Sequence, residues 1–224
     1  MKLLPGLIPV LCISLAFSQE HGRFPLQAFY SSQYQVESPT WDIVQSGQGL
    51  MYVAASQALL EYDGASWRSI SLPGYPTVRS LGADPKSGIV YIGANNTIGC
   101  LRPNRFGWME YDSLTHLLSD SDRHFQDVWQ TQVIGDSVFF MSEKQLMLLH
   151  KGAFQVFPAG KFGLYRGFAL NGAYYAYDFE KGLVKLGSRG WELVRTDLDP
   201  GLLIYALLPG PDGSLMALVE RLGI

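Results

Sequence analysis

A chain of 224 residues is long enough for one large domain, and a composition of 47% hydrophobic against 17% charged residues excludes a disordered polypeptide. The 13% aromatic content and the 24 glycines favour a β-rich domain of short strands joined by many turns. The net charge of −3 comes without any basic patch, which argues against nucleic-acid binding by this segment.

The N-terminus, residues 1–18, is predicted to be a signal peptide. Lys2 supplies a positive charge, residues 3–17 are mostly apolar, and Ala16 and Ser18 place small residues before a cleavage site at Gln19. The apolar run is too short to span a bilayer comfortably. The alternative is an ordinary buried N-terminal strand. We expect the protein to be exported to the periplasm.

Cys100 is the cysteine that remains after the predicted cleavage. It cannot form an intramolecular disulfide, so packing alone must hold the fold together. Because it lies in the mainly apolar run 97–101 with no histidine beside it, we expect a small buried residue rather than a reactive thiol.

A short β-like phrase returns five times along the rest of the chain. A turn that ends in Gly or Asp is followed by a small strand with a large apolar or aromatic residue, at intervals of about 36 to 48 residues. The copies are GLMY at 49–52, GIVY at 88–91, DSVF at 136–139, GAYY at 172–175 and GSLM at 213–216. This period and its β content are typical of the blades of a β-propeller.

The first unit, residues 40–73, shows the plan of one blade. It contains four strand-like segments, with the Asp63-Gly64 hairpin signal before the last of them. The second unit begins at Pro76, the third near Phe125 and the fourth at Gly167, and a polar insertion over residues 115–124 separates the second from the third. The segments of the first unit are residues 41–45, 50–55, 58–62 and 67–72.

The fold class is therefore predicted to be all-β: a β-propeller with four complete four-stranded blades and a partial fifth over residues 40–224. The fifth unit offers strands at residues 204–208 and 214–219. We interpret the returning phrase as the inner strand of each blade.

Residues 41–45, 49–54, 60–64 and Trp67 closely resemble the first blade of bacterial two-component regulator propellers. Residues 78–81, 88–93 and 98–101 resemble the second blade of the same family. The ordered set is specific, and the resemblance covers about residues 22–220.

The resemblance implies an exported sensor region that family members join to a triple-tyrosine β-sandwich, a transmembrane helix and a kinase or DNA-binding output. Family propellers have seven or more blades, so we expect this chain to be an N-terminal fragment of a larger ring. The lead-in, residues 19–39, resembles the family's ring-closing strand at residues 24–30. Alternatively, residues 24–30 complete the fifth blade of a small ring.

The sequence offers no convergent catalytic set, and we predict no catalytic residue, no cofactor and no metal site. His21, His116, His124 and His150 lack any zinc-binding spacing, and Asp120 and Asp122 are too few for calcium. Five tryptophans are predicted to pack between blades, with a sugar platform as the less favoured alternative. Three arginines lie near the starts of predicted first strands, but they are not assigned to a site, and the ligand-binding residues stay undetermined. These are Trp41, Trp67, Trp108, Trp129 and Trp191, and Arg79, Arg123 and Arg166.

The leading functional hypothesis is an extracytoplasmic ligand-sensing propeller of a bacterial signal receptor. Its expected partner is a small-molecule or oligosaccharide ligand, because family ligands are often carbohydrate fragments. Membrane attachment would come only through C-terminal parts beyond this chain, and the full-length receptor could form a homodimer. The alternatives are a standalone exported scaffold for protein or glycan binding and an exported propeller lyase or glycosidase.

Overall fold

Eighteen β-strands make up most of the described chain, which comprises residues 26–36, 39–194 and 201–221 of a computed structural model. The predicted signal peptide, residues 1–18, lies outside the described residues. The strands form antiparallel sheets in which sequence order equals spatial order. None of the helices in the described part is long and apolar enough to cross a membrane.

Four of the sheets have four strands each, and the fifth has two. The first comprises β1 (Thr40–Gln45), β2 (Met51–Ala55), β3 (Ala58–Tyr62) and β4 (Trp67–Ile70). The second comprises β5 (Val78–Ala83), β6 (Val90–Ala94), β7 (Thr97–Pro103) and β8 (Met109–Ser113). The third comprises β9 (Val128–Ile134), β10 (Ser137–Ser142), β11 (Gln145–His150) and β12 (Ala153–Pro158). The fourth comprises β13 (Leu164–Leu170), β14 (Ala173–Asp178), β15 (Gly182–Gly187) and β16 (Gly190–Leu193), and the fifth comprises β17 (Ile204–Pro209) and β18 (Leu215–Val219). This arrangement confirms the prediction of four complete blades and a partial fifth.

The first strand of each blade, and not the second, lies innermost. β1 contacts β5, β5 contacts β9, β9 contacts β13, and β13 contacts β17. The returning Gly-to-aromatic phrase leads into the second strands, so our interpretation of it as the inner strand was wrong. The second strands are the most apolar. Each one is hydrogen-bonded to a strand along both of its edges, and neighbouring blades cover both of its faces. First strands have one open edge toward the axis and therefore carry more polar residues.

The hydrophobic core is divided into layers that lie between neighbouring blades. Tyr52 and Leu59 of the first blade pack with Val90 of the second, and similar layers join the second to the third, the third to the fourth and the fourth to the fifth. Burying one such large side chain contributes roughly 1.5–3 kcal/mol. Each blade therefore depends on its neighbours for stability.

The third blade begins later than the sequence indicated. Its first strand is β9 (Val128–Ile134), whereas residues 125–129 were predicted to open it. Phe125 is fully buried in the layer between the second and third blades, and its apolar character reflects that role. The insertion before it holds two 3₁₀ turns, Thr115–Leu117 and Asp120–Asp122.

The lead-in packs on the first blade instead of forming a strand. Residues 26–30 are not in a strand, and α1 (Ser31–Tyr34) follows them. The ring of Phe29 lies 5.3 Å and that of Tyr34 5.4 Å from the ring of Trp67 in β4. The prediction of a strand over residues 24–30 is therefore wrong for residues 26–30. The aromatic rings of Phe29 and Tyr34 cover Trp67 of β4, and this packing takes the place of strand pairing. Residues 24 and 25 lie outside the described part.

Cys100 is fully buried in β7, as the sequence indicated. Burial raises the pKa of its thiol, although Arg102 Nε donates a hydrogen bond to Sγ at 3.0 Å and opposes the shift. A thiol with a raised pKa is a poor nucleophile at neutral pH, which agrees with a packing role.

Candidate ligand-binding mouth

Each of the five first strands carries a β-bulge near its beginning. In every case the second residue of the strand is skipped in the pairing with the next strand. A bulge bends the strand and re-aims a side chain. The skipped residues, which we call the mouth ring, are Trp41, Arg79, Trp129, Tyr165 and Tyr205.

Three members of the mouth ring are in direct contact with one another. Arg79 lies between two tryptophans, with its guanidinium carbon 4.0 Å from the ring centroid of Trp41 and 4.8 Å from that of Trp129. The two indole rings are 6.1 Å apart in a T-shaped arrangement. Blades one, two and three therefore meet in a single cation–π stack.

The guanidinium of Arg79 is already neutralised inside the protein. Its Nη2 lies 3.1 Å from Asp127 Oδ2, and its buried Nε and Nη1 find no acceptor among the described residues. The indole faces cover it, so a ligand reaches the tryptophans before it reaches Arg79. Trp41 and Trp129 remain 41% and 45% exposed, which leaves indole surface available to a ligand.

The residue after each bulge joins its blade to the next one by a side-chain hydrogen bond to the backbone. We call these four residues the clasp residues. Asp42 Oδ2 accepts from Leu81 N (2.8 Å), Ser80 Oγ donates to Val128 O (2.7 Å), Gln130 Oε1 accepts from Gly167 N (2.6 Å), and Arg166 Nη1 donates to Tyr205 O (2.8 Å). In the fifth blade the corresponding residue is Ala206, which has no group for such a bond. The mouth ring is thus supported by a second ring of fixed polar contacts.

Burial raises the pKa of Asp42 from its ordinary value, although N–H groups of Leu81 and Ile43 donate to the carboxylate and oppose the shift. Removing a carboxylate from water disfavours its charged form, and here that effect exceeds the two hydrogen bonds. Asp42 therefore serves the junction between blades one and two at an electrostatic cost.

A cavity of about 380 Å³ opens beside the mouth ring, between the third and fourth blades. We call it the mouth cavity. Two smaller depressions, of about 280 and 300 Å³, adjoin it, and Glu143, in the turn between β10 and β11, borders all three. The lining of the mouth cavity comprises Trp129, Gln130, Glu143, Leu164, Tyr165, Arg166 and Phe179. Its volume is within the range of small-ligand sites, which is roughly 300–1,000 Å³.

A second cavity, of about 490 Å³, lies at the rim of the third blade beside the insertion. Its lining combines apolar side chains with polar ones, and the polar residues are Ser119, Asp122 and Gln145. The nearby carboxylate of Asp122 accepts a hydrogen bond from Ser119 Oγ at 2.5 Å. Gln145 Nε2 also donates to Asp122 O at 2.9 Å, so the polar groups of this cavity are engaged with one another, and we regard the mouth cavity as the better candidate site.

The arginines and tryptophans singled out from the sequence lie in different parts of the structure. Arg79 and Arg166 lie at the mouth, whereas Arg123 holds the insertion together through Leu118 O and the carboxylate of Asp120. Trp67 and Trp191 are partly buried, but Trp41 and Trp129 belong to the mouth ring. These two tryptophans do pack across neighbouring blades through Arg79, but at 41% and 45% exposure they are not core residues. Within the described residues, no three His, Cys, Asp or Glu side chains come together in a way that could hold a metal ion.

Sequence reasoning missed Glu143, Tyr165 and Tyr205 as mouth residues. The signal that could have found the two tyrosines is positional, because each stands at the second residue of a first strand. Glu143 lies in a turn and has no such signal.

Several solved structures resemble this chain in fold. One is the WD40 β-propeller domain of Doa1, with a TM-score of 0.56 and 13% identity over 80% of this chain. The chain is a β-propeller. A virginiamycin B lyase from Staphylococcus aureus gives a TM-score of 0.56 at 13% identity, again over 80% of this propeller.

The extracellular domain of a putative one-component system from B. thetaiotaomicron also resembles the propeller. Its TM-score is 0.55, with 16% identity over 75% of this chain. The chain spans 61%, 62% and 23% of the Doa1, lyase and one-component-system structures, respectively, which is less than two thirds of each. At these identities the likeness shows the fold alone. No family model and no curated protein matches the sequence.

Proposed function

We propose that this propeller is the ligand-sensing region of an exported bacterial signal receptor and that its ligand binds at the mouth cavity. The proposal joins the family resemblance of the first two blades to the geometry of the mouth. The single observation that carries it is the mouth ring, in which five bulges aim aromatic side chains and one arginine toward one end of the axis.

The ligand class that fits this surface is a short oligosaccharide. A sugar ring presents an apolar C–H face that stacks on indole or phenol, and hydroxyls at its edge that bind carboxylates and guanidinium groups. The mouth cavity offers both kinds of partner, with Trp129 and Tyr165 for stacking and Glu143 and Arg166 for hydrogen bonding. The exposed half of Trp129 and the cavity volume allow one or two sugar rings.

Signalling would use the contacts between blades. A ligand in the mouth cavity touches the third and fourth blades together, and Arg166 also holds Tyr205 of the fifth blade. Binding would therefore bias the placement of neighbouring blades and, in the intact receptor, of two propellers or two protomers. A membrane-crossing partner would carry that change to a cytoplasmic output.

Two other functions belong to different classes. A standalone scaffold would use a broad outer surface, and a lyase or glycosidase would need a positioned acid and base at the reacting atom. We propose binding without turnover, because Gln130 at the cavity wall is occupied by the Gly167 backbone and Asp127 is occupied by Arg79. Their engagement leaves Glu143 as the carboxylate of the mouth cavity.

The test is calorimetric binding of the purified chain to a panel of oligosaccharides of two to four sugars, combined with product analysis. We expect at least one oligosaccharide to bind without being cleaved. Trp129→Ala should weaken that binding by tenfold or more because the stacking face is lost. Trp108→Ala is the matched control, since Trp108 is 62% exposed but directly precedes β8, the outer strand of the second blade.

Each alternative has its own outcome. Cleavage of any oligosaccharide in the panel would identify an enzyme, and equal losses from both tryptophan variants would remove the mouth as the site. Binding of no oligosaccharide at millimolar concentration would contradict the sensor proposal and favour the scaffold. Trp129→Ala also loses its contacts with Arg79 and Trp41, so its thermal unfolding midpoint is expected to fall, and a cooperative transition above the assay temperature in both variants shows that lost binding is not lost folding.

A further inference from the structure

We infer that the mouth cavity selects acidic oligosaccharides and binds their carboxylate through Arg166. This inference rests on the proposed function and specifies the chemistry of its ligand. It follows from the charges that face the cavity, taken one at a time.

Arg166 is a cation held in place for an incoming anion. Its Nη1 donates to Tyr205 O at 2.8 Å, and its guanidinium carbon lies 5.9 Å from the ring centroid of Tyr165. These contacts fix the plane of the guanidinium. Its Nε and Nη2 pair with no carboxylate in the described part of the chain, and the residue is exposed at the cavity. A planar carboxylate matches two such N–H donors better than a hydroxyl does.

Arg79 does not compete for the same anion. Asp127 neutralises it at 3.1 Å, and two indole rings cover its faces. The positive charge that remains open at the mouth cavity therefore belongs to Arg166.

Glu143 determines what else the ligand must carry. Its carboxylate forms no hydrogen bond or ion pair with the described residues, and it borders the mouth cavity. It repels a second anionic group but accepts hydrogen bonds from hydroxyls. A ligand with one carboxylate for Arg166, several hydroxyls for Glu143 and an apolar ring face for Trp129 fits all three residues. A sugar acid has this combination.

Other simple classes fit less well. A small dicarboxylate would place charge against Glu143 and leave Trp129 without a stacking partner. A neutral sugar would leave the open cation of Arg166 without a counter-charge. An amino sugar would satisfy Glu143 but would bring its ammonium toward Arg166.

The test compares oligogalacturonides and glucuronate-containing disaccharides with their own methyl esters, which keep the shape and lose the charge. Calorimetry on the purified chain should show the acids binding at least tenfold more tightly than the esters at 50 mM salt. The difference should shrink at 500 mM salt because ions screen an exposed pair. Arg166→Gln should remove the preference, and Arg166→Lys should retain part of it.

Arg105→Gln is the matched control. Like Arg166, Arg105 stacks on its neighbouring aromatic residue, Phe106, with 4.6 Å between the guanidinium carbon and the ring centroid. Arg105 lies in the β7–β8 turn of the second blade and does not line the mouth cavity. It should keep the full preference. Glu143→Gln should keep or increase the affinity for the acids. Arg166→Gln also loses the hydrogen bond to Tyr205 O, so a lowered thermal unfolding midpoint is expected, and a cooperative transition that begins well above the assay temperature shows that the variant is folded.

The two proposals fail in different ways. Equal binding of acids and esters, lost in Trp129→Ala, would overturn the inference about charge and leave the sensor proposal standing. A preference for acids that survives Arg166→Gln would also overturn it. If glucosamine oligomers bind more tightly than the acids and Glu143→Gln abolishes that preference, the mouth cavity selects a positively charged ligand and the inference is wrong. If acids, esters and amino sugars all fail to bind, both proposals are contradicted.

Discussion

Asp42 shows how one side chain can join two blades at a cost. It is the carboxylate among the clasp residues, it accepts the N–H of Leu81, and burial raises its pKa. A raised folded-state pKa means that the folded protein binds a proton more tightly than the unfolded chain. The stability that Asp42 contributes is therefore fully present below the ordinary value of 3.8 and is lost as pH rises through the folded pKa.

Asp42→Asn should remove this dependence, because the amide oxygen still accepts from Leu81 and carries no charge. We expect the free energy of unfolding at pH 7 to rise slightly, by less than about 1 kcal/mol, and the gain to disappear toward pH 4. Urea denaturation at several pH values measures it. Asp42→Ala, which loses the acceptor, should cost roughly 1–2 kcal/mol at pH 7. A gain that grows on acidification would contradict the assigned shift.

The role of a tryptophan is difficult to predict from sequence at the residue scale. Trp41 and Trp67 both stand in strands with alternating polarity. Trp41 is skipped by a bulge and points to the mouth, whereas Trp67 pairs with Tyr62 and packs under Phe29. A bulge depends on how two strands pair, which local sequence does not encode. For this reason the mouth ring could not be predicted, although the strands that carry it could.

At the scale of elements, the clasp residues convert five separate sheets into one structure. Gln130 is the most complete case, because its Oε1 accepts from Gly167 N at 2.6 Å and its Nε2 approaches Gly167 O at 3.4 Å. The side chain thus substitutes for a neighbouring strand at the open edge of β13. Without it, a buried N–H is left without a partner.

Gln130→Ala should destabilise the propeller by about 1–3 kcal/mol, as chemical denaturation would show. Gln155→Ala is the matched control, since Gln155 is exposed on β12 and its side chain should be worth within about 0.5 kcal/mol. Equal effects from the two variants would mean that the hydrogen bonds between first strands do not stabilise the junction.

The order and limits of the strands were the part of the fold that sequence predicted best. Turn residues and apolar runs marked β2, β6, β10 and β14 because these strands are buried on both faces, and they marked β18, in which partly buried and exposed apolar residues alternate. The innermost position was assigned to the wrong strand, since burial is strongest in the second strand and the axis side is more polar. The start of β9 was misplaced because Phe125 is buried without being in a strand.

At the scale of the whole molecule, stability should vary along the row of blades. Layers of core between neighbouring blades make the protein resemble a repeat array, in which units at the ends have fewer neighbours. In the described part of the chain, β18 pairs with β17 on one side only. The fifth blade is therefore the least supported element with a buried core.

Hydrogen exchange should reveal this difference. Amides of β18 should exchange at least about 100-fold faster than those of β10, which lies between β9 and β11. Exchange followed by mass spectrometry measures both regions in one experiment. Equal protection would contradict this account and would show that the outer edge of β18 is covered.

The most direct test of the mouth as the ligand site is the same exchange measurement repeated with the tightest-binding oligosaccharide at saturation. Slower exchange should appear at the starts of β9 and β13, in residues 128–131 and 164–167, and at the turn that carries Glu143. The outer strands β4 and β8 and the insertion over residues 115–122 should be unchanged. Protection confined to the cavity beside the insertion, or to the outer strands, would contradict the assignment of the mouth as the binding site.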